Sequence, residues 1–282
     1  MAKIIDGKAI SAAIRGEIAA EVEQMKKNNG FVPGLAVIIV GEDPASQVYV
    51  RNKKKDCDET GINSIVHALP ENTNQEELLA LVHKLNNDDS VHGIIVQLPL
   101  PKHLDSELII NNIDAKKDVD AFHPYNVGKI MIGDYEFLPC TPAGVMALLE
   151  RSNIDVAGKN CVVVGRSNIV GKPQAMMLLH KNGTVTICHS KTKDLADVCR
   201  SADILVVAIG RAKMITGDMI KEGAVVIDVG MNRDENGKLC GDVDYESAEK
   251  KASYITPVPG GVGPMTRVML LQNTLSAAKK KM

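Results

Sequence analysis

NCVVVGRSNIVGKP, residues 160–173, is a buried strand that runs into a glycine turn and then opens a helix. Cys161–Val164 is an apolar run of strand length, Gly165 interrupts it, and helical character resumes near Gly171. TVTIC (184–188) supplies the next strand and completes a βαβ unit. In such units a dinucleotide pyrophosphate rests on free N–H groups at the helix N-terminus. The spacing departs from G-x-G-x-x-G, because Ser167 and Val170 stand in the second and third glycine slots and Gly171 follows. Glycine also occurs at strand–helix junctions for steric reasons alone, so the turn by itself is a weak pointer.

The end of TVTIC sharpens it. A carboxylate there would grip a ribose 2′-hydroxyl, but the chain continues His189-Ser190-Lys191-Thr192, without an acid. Arg166 lies in the glycine turn across from this strand end. A guanidinium, a hydroxyl and an ammonium suit a 2′-phosphate, so the nucleotide expected is NADP rather than NAD. Lys191 also reads as a solvated surface lysine, the commoner fate of a lone Lys.

Outward from this unit, strands alternate with helices. Towards the C-terminus, apolar runs at 204–209 and 224–228 and a short one near 253–255 continue the series. Towards the N-terminus, LAVIIV (35–40), 64–69 and GIIVQL (93–98) read as strands, separated by helices at about 45–59 and around Leu78–Leu85. The expected fold class is α/β, with two domains of mostly parallel sheet, the second a Rossmann-type NADP-binding domain, and an active-site cleft between them. The segment 118–142, rich in Pro, Gly and Tyr, lacks a clear period and marks the crossing. The boundaries expected are 1–140 plus 266–282 for the first domain and 141–265 for the second; the closing helix is expected to pack back on the first. The N-terminus reads as a short strand followed by an amphipathic helix carrying Ile10, Ile14, Ile18, Val22 and Met25.

Composition narrows the function. The 282 residues are 45% hydrophobic and 24% charged, with a net charge of −2. Such a chain is globular, and neither nucleic acid nor an anionic membrane is an expected partner. No apolar run approaches the roughly 20 residues of a membrane span, and the start has no leader-like segment, so a cytoplasmic protein is expected. There is no Trp, and Phe and Tyr number only three and five, which argues against base-stacking platforms and sugar-binding aromatic clefts. The six cysteines form no C-x-x-C pair and read as reduced, buried thiols. The seven histidines show no ligand spacing, and no metal is expected.

Three further segments carry chemistry. Tyr49 and Lys53 stand at i and i+4 on a predicted helix and share a face. A phenol beside an ammonium can hold or move a proton, although surface Tyr–Lys pairs are common on helices. Gln97 stands at the carboxyl end of a buried strand, where open α/β sheets bind ligands; it could orient or polarise Lys53. KDVDAFHP (117–124) brings acids to the domain crossing, and an Asp could grip an N–H-rich heterocycle. TPVPGGVGPMT (256–266) precedes a helix; its density of Pro and Gly fits a rigid loop, and also close approach of backbone to a ligand.

These stretches, in order, resemble the bifunctional methylenetetrahydrofolate dehydrogenase/methenyltetrahydrofolate cyclohydrolase family, the FolD type. The matching segments are YVRNKKK (49–55), GIIVQLPLP (93–101), KDVDAFHP, CTPAGV (140–145), VVVGRSNIVGKP (162–173), CHSKT (188–192), VIDVGMN (226–232), GDVD (241–244) and TPVPGGVGPMT. They span nearly the whole chain, and QLPLP and PGGVGPMT are the most specific. Arg267 departs from the pattern, since an apolar residue is usual there. The resemblance implies catalytic roles for Lys53, Tyr49 and Gln97. It also implies folate contacts from these three together with Asp120, Pro259, Gly260 and Gly261. NADP contacts are implied for Gly165, Arg166, Ser167, Ser190 and, beside the nicotinamide, Met231. It implies a homodimer joined through the cofactor-domain sheet, and both activities, because Lys53, Tyr49 and Gln97 are all present. A short-chain dehydrogenase also uses Tyr-x-x-x-Lys, but there the pair follows the nucleotide unit, whereas here it precedes it. A regulator that binds NADP without chemistry would not need Lys53, Gln97 and Asp120 together.

Overall fold

The computed structural model describes residues 1–281; the side chains of residues 29 and 45 lie outside the description. In chain order the elements are β1 (Lys3–Ile4), α1 (Gly7–Asn29), β2 (Gly34–Val40), α2 (Pro44–Thr60), β3 (Asn63–Leu69), α3 (Gln75–Asn86), β4 (Gly93–Val96), α4 (Ser106–Asn111) and α5 (Pro124–Ile132). There follow α6 (Cys140–Arg151), β5 (Asn160–Val164), α7 (Gly171–His180), β6 (Thr184–Cys188), α8 (Leu195–Arg200), β7 (Ile204–Val207) and β8 (Val225–Asp228). The chain ends with β9 (Asn232–Arg233), β10 (Leu239–Cys240), α9 (Tyr245–Ala248), β11 (Tyr254–Ile255) and α10 (Val262–Lys279).

Two compact units divide the chain. One, the large-sheet unit, holds Met1–Ala12 and Pro139–Thr266; the other, the small-sheet unit, holds Ala13–Leu138 and the chain from Arg267 onward. Residues 1–12, expected in the first domain, belong with the large sheet. The reason is local: Lys3 and Ile4 pair in parallel with Tyr254 and Ile255, making β1 an edge of that sheet. A two-residue strand carries no periodicity from which its partner could be read.

The small sheet is three-stranded, in the order β3-β2-β4, and wholly parallel. All seven residues of the central β2 are buried, which explains the unbroken apolar run GLAVIIV. On one face Ala36, Ile38 and Val40 pack with Ile94 and Val96 of β4, Leu78, Val82 and Leu85 of α3, and Ile109 of α4. Each such aliphatic side chain contributes roughly 1.5–3 kcal/mol by leaving water. Asn74 caps α3 in a reciprocal capping box with Glu77. At the other end of α3 the buried Lys117 donates from Nζ to the Leu85 and Asp88 carbonyls, at 3.0 and 2.7 Å, which satisfies orphan carbonyls there. The stretch without visible periodicity contains α5, a helix started by Pro124 and stopped by Gly133 at φ 78°. Its composition of Pro, Gly and Tyr conceals it.

The large sheet has six strands in the order β1-β11-β8-β7-β5-β6, and every pairing is parallel. Strand β6 follows β5 on one side, and β7 returns to the other side of β5. The order therefore reverses between β5 and β7, and open sheets of this kind take ligands outside the carboxyl ends at that switch point. Val162 and Val164, Leu205 and Val207, Val226 and Ile255 form the core with Cys188, Cys199 and Ile215. All six cysteines are buried and none is in a disulfide, and burial pushes the Cys57 and Cys199 thiols up to about 12 and Cys161 to about 11. No described helix is long and apolar enough to cross a membrane.

Candidate active site

In the small-sheet unit, α2 carries Tyr49 and Lys53. Asp43 caps its first turn by accepting from the Ser46 N–H at 2.8 Å, Pro44 begins it, and Gly61 at φ 77° ends it. One turn beyond Lys53, the buried Asp56 carboxylate is gripped by Arg15 at 2.8 Å and by Arg267 at 3.3 Å. Burial raises the Asp56 carboxyl, while the two guanidinium groups oppose the rise. Arg267, the departure from the family pattern, thus has a partner, and α2 is tied to the chain's last helix.

Lys53 and Gln97 come together: Lys53 Nζ donates to Gln97 Oε1 at 3.1 Å. Gln97 is one residue past β4, and its N–H still extends the ladder to the Ile38 carbonyl at 2.8 Å. Its Nε2 donates to the Leu98 carbonyl at 2.7 Å. With the NH₂ group committed, the amide oxygen is the atom left to face the lysine. Among the described residues no carboxylate lies within ion-pair distance of Lys53, so a neutral amide, not an acid, holds it. Tyr49 is more than a third exposed, at 38%.

Asp120 is half-buried on a loop with an internal anchor that sequence reading missed. Asp118, 1% exposed, accepts from the His123 N–H and from Asn126 Nδ2, both at 2.8 Å. Burial raises its carboxyl and these hydrogen bonds counter the shift. Ala121 takes a left-handed φ of 56°, and Asn273 of α10 donates to the Val119 carbonyl at 2.8 Å. No signal in the sequence separates the two acids: strand alternation would place 118 and 120 on one face, and the loop's turn at Ala121 is what the structure adds.

In the large-sheet unit, Gly165 has φ 136°, and a Cβ there would strike the Ala208 carbonyl. A Cβ on Gly171 would strike the Gly165 carbonyl and approach the Arg166 nitrogen to 2.7 Å. The turn is therefore as tight as a dinucleotide turn requires. Ser167 Oγ accepts from the Val170 and Gly171 N–H groups at 3.2 Å each, which leaves its own proton to donate. The Gly165 N–H reaches the Cys188 carbonyl at 2.9 Å, so the ends of β5 and β6 are adjacent. There a small turn, closed by Thr192 Oγ1 accepting from the His189 N–H at 2.8 Å, presents Ser190 and Lys191 to solvent. Arg166 is exposed too and has no carboxylate partner among the described residues. Two cationic side chains and a hydroxyl, with no acid, are what a 2′-phosphate needs.

Met231, 49% exposed, follows β8, and its Cε lies 3.2 Å from where a Cβ on Gly263 would stand. The Pro-Gly-Gly block belongs to the same unit. Pro259 is exposed, whereas Gly260 and Gly261 are buried. Lys8 donates its N–H to the Gly260 carbonyl at 3.1 Å, a Cβ on Gly7 would strike the Gly261 carbonyl, and a Cβ on Gly261 would meet Pro257 O at 2.7 Å. Gly260 has a left-handed φ of 112°, Gly261 is pressed by its own loop at Thr256 and Pro257, and Gly7 of α1 lies close against Gly261.

Residues 5–120 match the model of the tetrahydrofolate dehydrogenase/cyclohydrolase catalytic domain, and residues 139–282 match that of its NAD(P)-binding domain. The bifunctional protein FolD of Acetivibrio thermocellus is 66% identical over 278 residues, covering 99% of this chain and 97% of that protein. The crystal structure of the FolD methylenetetrahydrofolate dehydrogenase/cyclohydrolase from Campylobacter jejuni superposes with a TM-score of 0.97 at 54% identity, over 100% of both chains. That of the Trypanosoma brucei enzyme, complexed with NADP cofactor and inhibitor, gives 0.95 at 43% identity, over 99% of this chain and 98% of that one. The chain belongs to the tetrahydrofolate dehydrogenase/cyclohydrolase family.

Proposed function

We propose that this protein oxidises 5,10-methylenetetrahydrofolate to 5,10-methenyltetrahydrofolate with NADP and then hydrolyses the product to 10-formyltetrahydrofolate. The observation that carries the reading is the 3.1 Å contact between Lys53 and Gln97, in a chain whose other unit builds a tight turn beside an acid-free strand end.

NADP, when bound, accepts the hydride from the carbon that bridges N5 and N10. Gly165 and Ser167 seat its phosphates, and Arg166 and Ser190 meet the 2′-phosphate. Met231 borders the nicotinamide end. Asp120 accepts hydrogen bonds from the pterin N–H groups and so fixes the ring, which is the positioning that this step needs most. Pro259, Gly260 and Gly261 supply a rigid wall for the substrate, with Pro259 as the exposed member.

Hydrolysis asks more of the side chains. Water adds to the amidinium carbon and loses a proton; N5 gains one as its bond to that carbon breaks. Lys53 handles this proton traffic, Tyr49 shares its face of α2, and Gln97 aims the Lys53 nitrogen. Because Gln97 is neutral, Lys53 can give up and regain its proton without breaking an ion pair.

A single mixing experiment tests the reading. Protein, methylenetetrahydrofolate and NADP should yield NADPH, with methenyltetrahydrofolate rising and then falling. No NADPH from protein that binds NADP would overturn it in favour of a regulator.

Two further properties belong to the same proposal. The protein is a homodimer: β6 ends the large sheet with an open edge, and Thr184, Thr186 and Ile187 are exposed along it, a surface that a second copy would cover. Light scattering should give twice the chain mass. Its compartment is the cytoplasm, where six buried thiols outside any disulfide stay reduced.

A further inference from the structure

Outside the residues assigned above, the densest polar cluster of the large-sheet unit is a pair of buried carboxylates, Asp228 at 4% and Asp242 at 0% exposure. Asp242 Oδ2 accepts from the Ile209 and Gly210 N–H groups at 2.7 and 3.0 Å. Its Oδ1 accepts from the Arg211 N–H at 2.7 Å and from Asn232 Nδ2 at 2.8 Å. Asp228 Oδ1 accepts from the Gly230 and Asp242 N–H groups at 2.9 and 3.0 Å, and Oδ2 from the Val243 N–H at 2.9 Å. No cation pairs with either carboxylate among the described residues; N–H dipoles alone surround them.

The two aspartates are packed reciprocally. A Cβ on Gly230 would strike the Asp242 carboxylate, and a Cβ on Gly241 would strike that of Asp228. Each acid fills the side-chain space of a glycine beside the other. This gives the glycines of VIDVGMN and GDVD a physical reason.

The location matters more than the packing. Residues 209–211 continue β7 at the switch point: the Ala208 N–H donates to the Val164 carbonyl at 2.8 Å, and Ala208 itself lies against Gly165. Residues 229–232 continue β8 and include Met231. Four donors on one carboxylate therefore hold the two loops that border the nucleotide edge. Loops left to themselves would be ordered by the ligand, at a cost to its affinity.

We propose that Asp242, supported by Asp228, is a positioning residue for the dinucleotide: it holds the main chain at 209–211 and 229–232 in the binding conformation before the nucleotide arrives. The inference rests on the cofactor half of the proposed function. Asp242→Asn is the decisive variant, because an amide turns an NH₂ group towards N–H donors on at least one side. With nucleotide absent, the Ile209, Gly210 and Arg211 amides should exchange hydrogen at least about tenfold faster than in the parent protein. KM and Kd for NADP should each rise about tenfold or more, with kcat at saturating NADP changed less than about threefold. Hydrolysis of preformed methenyltetrahydrofolate should stay within about twofold, since Lys53 and Gln97 lie in the other unit. Asn232→Ala, which removes one donor and no buried charge, should show the same pattern more weakly; it carries the test if Asp242→Asn does not fold. Unchanged exchange and unchanged NADP affinity in a folded variant would overturn the inference. So would equal losses in both activities, the mark of a role in stability alone. A parent protein that binds no NADP would instead sink the functional reading, while the exchange measurement would still report on the loops.

Discussion

In the proposed function the two units meet their ligands with different materials. In the small-sheet unit the proposed working group is a long side chain, Lys53, bonded to one amide just past a strand end. In the large-sheet unit the proposed working surface is main chain, shaped by glycines at 165 and 171 and backed by Asp242. The difference follows from the task. Moving a proton needs a titratable atom with some freedom, whereas gripping a polyanion needs donors that do not move. Among the described residues Lys53 has no carboxylate partner, while Asp228 and Asp242 are locked among N–H groups.

The contrast can be broken in four places. Lys53→Met should have the largest effect: cyclohydrolase activity falls about 10³-fold or more, while NADP affinity is unchanged. Hydrolysis at the parent rate would remove Lys53 from the chemistry. Next, Arg166→Ala should raise KM for NADP about 10- to 100-fold and leave KM for NAD nearly untouched, the loss expected for a charge-assisted contact. An equal rise for both cofactors would show that Arg166 does not read the 2′-phosphate.

The third test is pH. Burial raises the Asp228 carboxyl from 3.8 to about 7, with the nearby Asp242 charge adding to the rise and the N–H groups of Val243, Asp242 and Gly230 opposing it. The folded state then binds a proton that the unfolded chain has released. Its contribution to stability is complete below about pH 4 and is lost as pH rises through about 7. The melting temperature should decline across that window, and Asp228→Asn should flatten the decline. The smallest effect is expected from Arg267→Leu. Asp56 keeps Arg15, so the loss should be about 1 kcal/mol in denaturant unfolding. Removing Arg15 as well should cost more than the sum, because the buried carboxylate is then left unpaired.

How much of this was legible depends on the length scale of the signal. Strands such as β2 and β5 announce themselves, because burial on both faces demands unbroken apolar runs. Gly165 pointed to a nucleotide turn only together with the acid-free end of β6, since the spacing departs from G-x-G-x-x-G. Lys53 and Gln97 could be named, but their contact could not, since it joins residues 44 positions apart. Strand β1 misled the domain boundary because two residues pair with a strand near the far end of the chain. Helix α5 stayed hidden behind its Pro and Gly. At Gly260 and Gly261 the density of glycine was legible, but the local reasons for it, a positive φ at 260 and the press of Thr256 and Pro257 on 261, were not. Asp118, Asp228 and Asp242 went unassigned because buried acids look like surface acids until their donors are seen.

The reciprocal fit of Asp228 with Gly241 and Asp242 with Gly230 has an evolutionary consequence. A methyl group gained at either glycine evicts a carboxylate, and a carboxylate shortened at either aspartate opens a void that no single neighbour can fill. Positions 228, 230, 241 and 242 should therefore behave as one heritable block. In a randomised library they should survive selection in matched sets, and a lineage that trades one away should have to trade the others with it.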